Sequence, residues 1–160
     1  MFSDAISTVS GFKIPQNEID QHINSYPFGL KQLNEEHLVR DIIAVKGNSL
    51  VCVGNVAENS LVYILNATKD ILISAASDAG KQFSQKLLPA TEAQMGFVVL
   101  IDCISRALYL GDDYQLELDA ICEQLPQGKI LAGALSIGEI KNTRQGTIQF
   151  LNKTIVLGGL

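Results

Sequence analysis

Tryptophan is absent from this 160-residue chain, and histidine occurs only at His22 and His37. Both imidazoles lie far in sequence from any cysteine, so a histidine base or a mixed Cys/His metal centre has little to build on. Cysteine is scarce too: Cys52, Cys103 and Cys122 are odd in number, widely spaced and without a CxxC pair. A disulfide scaffold and a structural zinc are thereby disfavoured, and no metal or cofactor is expected. Free thiols fit a reducing compartment, which makes a cytoplasmic location the expectation.

Clustered positive charge is also missing. Twelve scattered basic residues against 17 acidic ones leave a net charge of -5, the wrong balance for a phosphate backbone, so no nucleic-acid partner is expected. No membrane partner is expected either. The central apolar run, residues 97–101, stops at Asp102, far short of the roughly 20 residues that span a bilayer. Residues 1–13 lack the basic patch and apolar stretch of a signal peptide. The phosphate-loop patterns GxGxxG and GxxxxGK[ST] do not occur, nor do GxSxG and HExxH. That absence speaks against the familiar enzyme classes, and a non-catalytic chain is the reading.

What is present is periodicity. The length suits one domain over residues 1–160, with residues 1–25 as an N-terminal helical segment. Ile19, Ile23 and Tyr26 repeat at helical spacing after Pro15. Residues 28–36 read as a loop. Strand patterns follow at 38–45, 49–53 and 61–65, joined by short turns such as Lys46-Gly47-Asn48 and expected to form an antiparallel meander. Leu72, Ala75, Ala76, Ala79, Phe83 and Leu87 predict a long helix, capped by Asn66 or Thr68 and stopped by Pro89. Residues 96–105 read as a central strand. Asp112 and Gln115 form a capping-box pattern opening a second helix, with Tyr114, Leu118, Ile121, Cys122 and Leu125 as its buried stripe. Three more strands are expected at 129–136, 139–143 and 147–157. The order predicts α+β: a largely antiparallel mixed sheet of about six to seven strands covered by two or three helices.

Several polar side chains interrupt these apolar segments: Arg40, Cys103, Arg106, Glu139 and Asn152. A buried polar group without a partner costs about 1–3 kcal/mol, so each must brace the fold or face a ligand. Arg40 and Arg106 suit a carboxylate, because a planar guanidinium matches two oxygens; for Arg40, an ion pair or main-chain bonds at a strand edge are the favoured reading. Cys103, with Arg106 three residues on, could be an activated thiol, but it lacks a base and fits an inert core cysteine better. Glu139 beside Gly138 suits an ammonium group or a structural pairing with Arg106 or Arg40. Asn152 and Thr154 alternate along one expected strand face. Glu117 and Asp119, like Asp112 and Asp113, read as solvated or capping carboxylates.

Four phrases in order resemble the C-terminal domain of the FIST family, a sensory domain of bacterial and some eukaryotic signalling proteins. They are Tyr26-Pro27-Phe28-Gly29 with Val39-Arg40-Asp41; Asp102-Cys103-Ile104-Ser105-Arg106; Gly133 through Gly138-Glu139-Ile140; and Asn152-Lys153-Thr154-Ile155-Val156. The resemblance runs from about residue 20 to 157. It implies a domain that binds small ligands, amino acids among them, and signals to output modules such as kinases or chemotaxis receptors. Typical members carry an N-terminal FIST domain first, for which 160 residues leave no room. Leu151 and Lys153 stand where the family's terminal phrase usually has histidine and glutamine. The leading expectation is therefore a sensory, ligand-binding domain whose partner is a signalling protein or a separate N-terminal domain. The alternatives are an interaction or homo-oligomerisation module, and a thiol-dependent enzyme centred on Cys103.

Overall fold

A computed structural model describes residues 2–11, 13–31, 37–142, 146 and 148–160. The chain divides into two compact units, 1–66 and 67–160.

In the N-terminal unit, helix α1 (Phe2–Ser10) buries Ile6 completely. Pro15 then adopts φ -62 and extended ψ, and a short helical stretch follows: a 3-10 turn, helix α2 (Ile19–His22) and a second 3-10 turn. Its Ile19, Ile23 and Tyr26 join Ile6, Ile14 and Ile42 in one core, as their spacing predicted. Strands β1 (Phe28–Leu30), β2 (Leu38–Arg40) and β5 (Val62–Ile64) form an antiparallel sheet in the order β2-β1-β5. β3 (Ile42–Lys46) and β4 (Ser49–Cys52) form a hairpin, with Gly47 at φ 59 in its turn.

Two readings of this half are corrected. Residues 28–30 are a strand, too short after Pro27 to show a period of two. The expected loop's remaining stretch, 32–36, lies outside the described residues. The meander also fails: Asp41 separates β2 from β3, and β5 pairs with β1 in place of β4. Val53 N–H donates to the Asp41 carbonyl, one step beyond the Ile42–Cys52 pair, so the main chain at the break is engaged with the end of β4 and not with β5.

The C-terminal unit opens on α3 (Lys69–Lys86), whose N-cap Thr68 accepts a hydrogen bond from Ile71 N–H. Pro89 does more than stop it. The proline opens helix α4 (Pro89–Gln94), where its missing N–H has no helical partner to lose. Strand β6 (Phe97–Cys103) leads directly into α5 (Ile104–Leu110) and then α6 (Tyr114–Cys122). The expected strand end at 105 is therefore helical: Ile104 and Ser105 carry no local signal separating a strand end from a first helical turn. The capping box is not formed either. Asp113 caps α6 without a side-chain bond, and Gln115 Nε2 donates to Asp119 Oδ1 instead.

Strands β7 (Ile130–Ser136), β8 (Glu139–Asn142), β9 (Ile148–Leu151) and β10 (Ile155–Gly159) complete the unit. β10 runs antiparallel and β7 parallel to β6, giving the order β10-β6-β7, while β8 and β9 form a separate hairpin. The one strand expected over 147–157 is thus two within the described residues, Ile148–Leu151 and Ile155–Gly159, because Lys153 takes φ 54, in the left-handed region that ends a strand. Helices α3 and α6 cover the sheet face that carries Leu100, Leu131, Ile155 and Leu157, closing a core around Ala76 and Ile121. Burying Leu100 or Ile121 contributes about 1.5–3 kcal/mol each. Gly80 lets the helices meet: a Cβ there would lie 3.0 Å from both the Ile121 carbonyl and Gln124 Cβ. Cys122, expected on the buried stripe, is exposed.

The class is α+β, with parallel and antiparallel pairing together. Its ten described strands are distributed over four small sheets, where one sheet of six or seven had been expected. Short strands interrupted at Asp41 and by the three-residue turn 152–154 do not continue a common ladder.

Candidate functional site

The polar candidates of the C-terminal unit collect where β6 ends. Alternation along β6 turns Val98, Leu100 and Asp102 to one face, and all three are buried. Asp102 is wholly buried, and Tyr114 Oη donates to its Oδ2 over 2.8 Å. One helical turn later, Arg106 is also buried, with Nε 3.6 Å from Asp102 Oδ1.

Arg106 is fully engaged. Its Nε donates to Glu117 Oε1 at 2.8 Å, Nη1 to the Lys153 carbonyl at 3.2 Å, and Nη2 to the Leu72 carbonyl at 3.0 Å. A second, short contact joins Nη2 to Glu117 Oε1. The guanidinium therefore ties α5 to α3, to α6 and to the turn between β9 and β10. Glu117, expected on a solvated face, is completely buried and belongs to this knot. Its spacing from Ile121 had put it on the inward stripe; only its charge argued otherwise.

Two carboxylates thus share one cation in the interior. Burial pushes the pKa of Asp102 up, against the opposing effects of the Tyr114 hydrogen bond and the Arg106 charge. Burial likewise raises Glu117, opposed by Arg106. Asp102 Oδ1 and Glu117 Oε2 have no hydrogen-bond partner among the described residues. Burial and the Asp102 carboxylate push the Tyr114 hydroxyl well above its usual range, so it remains a donor.

A second polar knot adjoins the first. Glu139, almost wholly buried, accepts from Ser136 Oγ at 2.8 Å and from Thr154 Oγ1 at 2.6 Å. Asn152 is buried, and its Nδ2 donates to the Ile137 carbonyl at 3.3 Å. Asn152 and Thr154 sit in the turn around Lys153, not along one strand. Cys103 is buried at the end of β6, its Sγ 3.2 Å from Ser105 Oγ and its N–H on the Thr154 carbonyl. The structure therefore gathers Cys103, Arg106, Glu139 and Asn152 around the 152–154 turn. Arg40 lies in the other unit, where Nε donates to the Asn55 carbonyl at 3.0 Å and Nη1 to the Val39 carbonyl at 3.1 Å. Sequence reasoning does not find Glu117, Tyr114 and Ser136 as members of these knots, and for Glu139 it offers an ammonium group or an arginine where hydroxyl groups serve it.

Beside the first knot the surface is open. Tyr114 and Leu118 of α6 face Leu100 and residues 131–135 across a groove of about 180 Å³. That is below the ~300–1,000 Å³ typical of sites for drug-sized ligands, so any occupant is small. Its lining side chains are apolar apart from the Tyr114 hydroxyl, which is bound to Asp102. Among the described residues, no three His, Cys, Asp or Glu side chains are arranged to hold a metal ion, and no helix is long and apolar enough to cross a membrane.

The sequence matches the FIST C domain over residues 4–142, most of the chain. The chain belongs to the FIST C domain family. This is a sensory family associated with signal transduction. Searches of curated proteins and of solved structures found no match. The FIST C match reaches further towards the N-terminus than the quoted phrases and ends before Asn152, so the turn that Arg106 grips lies beyond the matched residues.

Proposed function

We propose that this FIST C domain is a non-catalytic sensory module that takes a small, amino-acid-like ligand in the groove between α6 and β7. The observation that carries the reading is the double role of Tyr114. Its ring lines the groove, and its hydroxyl holds Asp102 in the buried knot. A ligand that shifts the ring acts on Asp102, then on Arg106, and through its Nη1 on the Lys153 carbonyl. Occupancy is thereby coupled to the 152–154 turn, provided the ligand prefers one of two arrangements of that knot.

In this reading Arg106, Cys103, Glu139 and Asn152 stand behind the ligand wall and transmit its state, while Arg40 braces the N-terminal unit. The partner is a signalling protein or a separate N-terminal domain, met in the cytoplasm. The apolar lining favours an amino acid with an aliphatic side chain. Calorimetry across the standard amino acids is expected to find saturable binding, with a matching rise in melting temperature. Leu118→Trp fills the groove and should abolish the heat while the circular dichroism stays native. A flat response to the whole panel would remove the proposal.

A further inference from the structure

β7 is the last strand of its sheet, and no described strand pairs with its outer edge. Apart from the ladder to β6, no described backbone hydrogen bond reaches Ile130–Ser136. Natural edge strands are usually guarded by lysine, proline, a bulge or a covering loop. This one is bare: residues 130–137 contain neither a charged side chain nor a proline. Ala132, Gly133 and Ala134 are exposed, as are Ile130 at 67%, Leu135 at 46% and Ile137 at 70%.

The order of side chains identifies what fits there. Leu131-Ala132-Gly133-Ala134-Leu135 reads the same in both directions. If a second β7 runs antiparallel across a two-fold axis at Gly133, Leu131 falls opposite Leu135 of the second copy, and Ala132 opposite its Ala134. Antiparallel neighbours exchange main-chain bonds reciprocally, so the edge is its own complement in donors and acceptors. Glycine and alanine at the axis permit close approach, and the leucine pairs bury apolar area at both ends. Neither copy brings charge to the seam, so no repulsion opposes the pairing.

We infer that the occupant is a second copy of this chain: β7 pairs with β7 about Gly133, fusing two three-stranded sheets into one of six strands. A seven-residue seam is only about 23 Å long, so the buried area is modest and micromolar association is expected. The pairing requires no ligand in the groove.

Sedimentation equilibrium across the micromolar range tests it, using the full chain and two charge variants. Ala132→Lys with Ala134→Lys, and Ala132→Glu with Ala134→Glu, each set like charges directly opposite on both sides of the axis. Wild type should rise from 17.3 kDa towards twice that mass. Each variant should keep a native circular dichroism spectrum and associate at least about tenfold more weakly. An equimolar mixture of the two variants should recover association, because opposite charges then face each other. The inference is overturned if wild type stays at the single-chain mass, if either variant associates as wild type does, or if folded variants fail to associate when mixed.

Discussion

Arg106 and Glu117 meet in the interior with Nε 2.8 Å from Oε1, and neither side chain reaches solvent to any useful extent. A pair held this way is weak support for stability relative to apolar residues, yet costly to break, because whatever remains is a buried charge. The knot is asymmetric: one cation serves two carboxylates, Glu117 and Asp102.

Removing the cation should therefore hurt more than removing either anion. Arg106→Ala leaves both carboxylates without their partner and is expected to cost about 3–5 kcal/mol. Glu117→Ala leaves Arg106 with Asp102 and two carbonyls, and the loss should be nearer 1–3 kcal/mol. Urea denaturation of the two variants measures the difference, and equal losses would contradict the shared-cation arrangement.

The same knot sets a pH dependence. Asp102 and Glu117 have raised pKa values in the folded state, chiefly through burial, so between the ordinary carboxylate range and those raised values the folded chain holds more protons than the unfolded one. Stability from these groups is present in full below the unfolded pKa values and is lost as pH rises through the folded ones. Unfolding free energy should accordingly fall as pH rises through that window and level off above it. Glu117→Gln should flatten part of the fall. A difference curve between wild type and this variant that rises with pH would have the wrong sign.

The thiols should separate by access. Cys122 is exposed, Cys52 is half-buried and Cys103 is buried against Ser105. Burial raises the pKa of both Cys52 and Cys122, which slows their thiolate chemistry without hiding Cys122. Labelling of the native protein with a chromogenic disulfide is expected to proceed at Cys122 first, then Cys52, with Cys103 protected until unfolding. Fast labelling of Cys103 would revive a catalytic thiol.

Long periodic segments were legible before any coordinates. The stripe ending in Ile23 and Tyr26, the helix capped by Thr68 and the apolar strand at Val98 and Leu100 all stand as expected. Short elements were not. Phe28–Leu30 carries too few residues for alternation to register, and Ile104 and Ser105 look alike as strand end or helix start. The polar candidates were found by residue type, which shows that a group needs a partner but not which partner. Residue type offers Glu139 an ammonium group or a guanidinium, and the fold holds it by the hydroxyls of Ser136 and Thr154. Glu117 was read by its charge, although its position four residues before Ile121 placed it on the buried stripe.

Residue order alone determined the α+β class, the chief helices and the presence of charged groups within greasy segments, since periodicity is a local property of the chain. Only tertiary structure decided that Asp102, Arg106 and Glu117 share one buried knot, that β6 lies beside β7 in parallel, and that no described strand pairs with the outer edge of β7. Those outcomes depend on which elements become neighbours. A buried carboxylate takes the donor that packing brings to it: for Glu117 it comes from another helix, for Glu139 from a strand end and a turn.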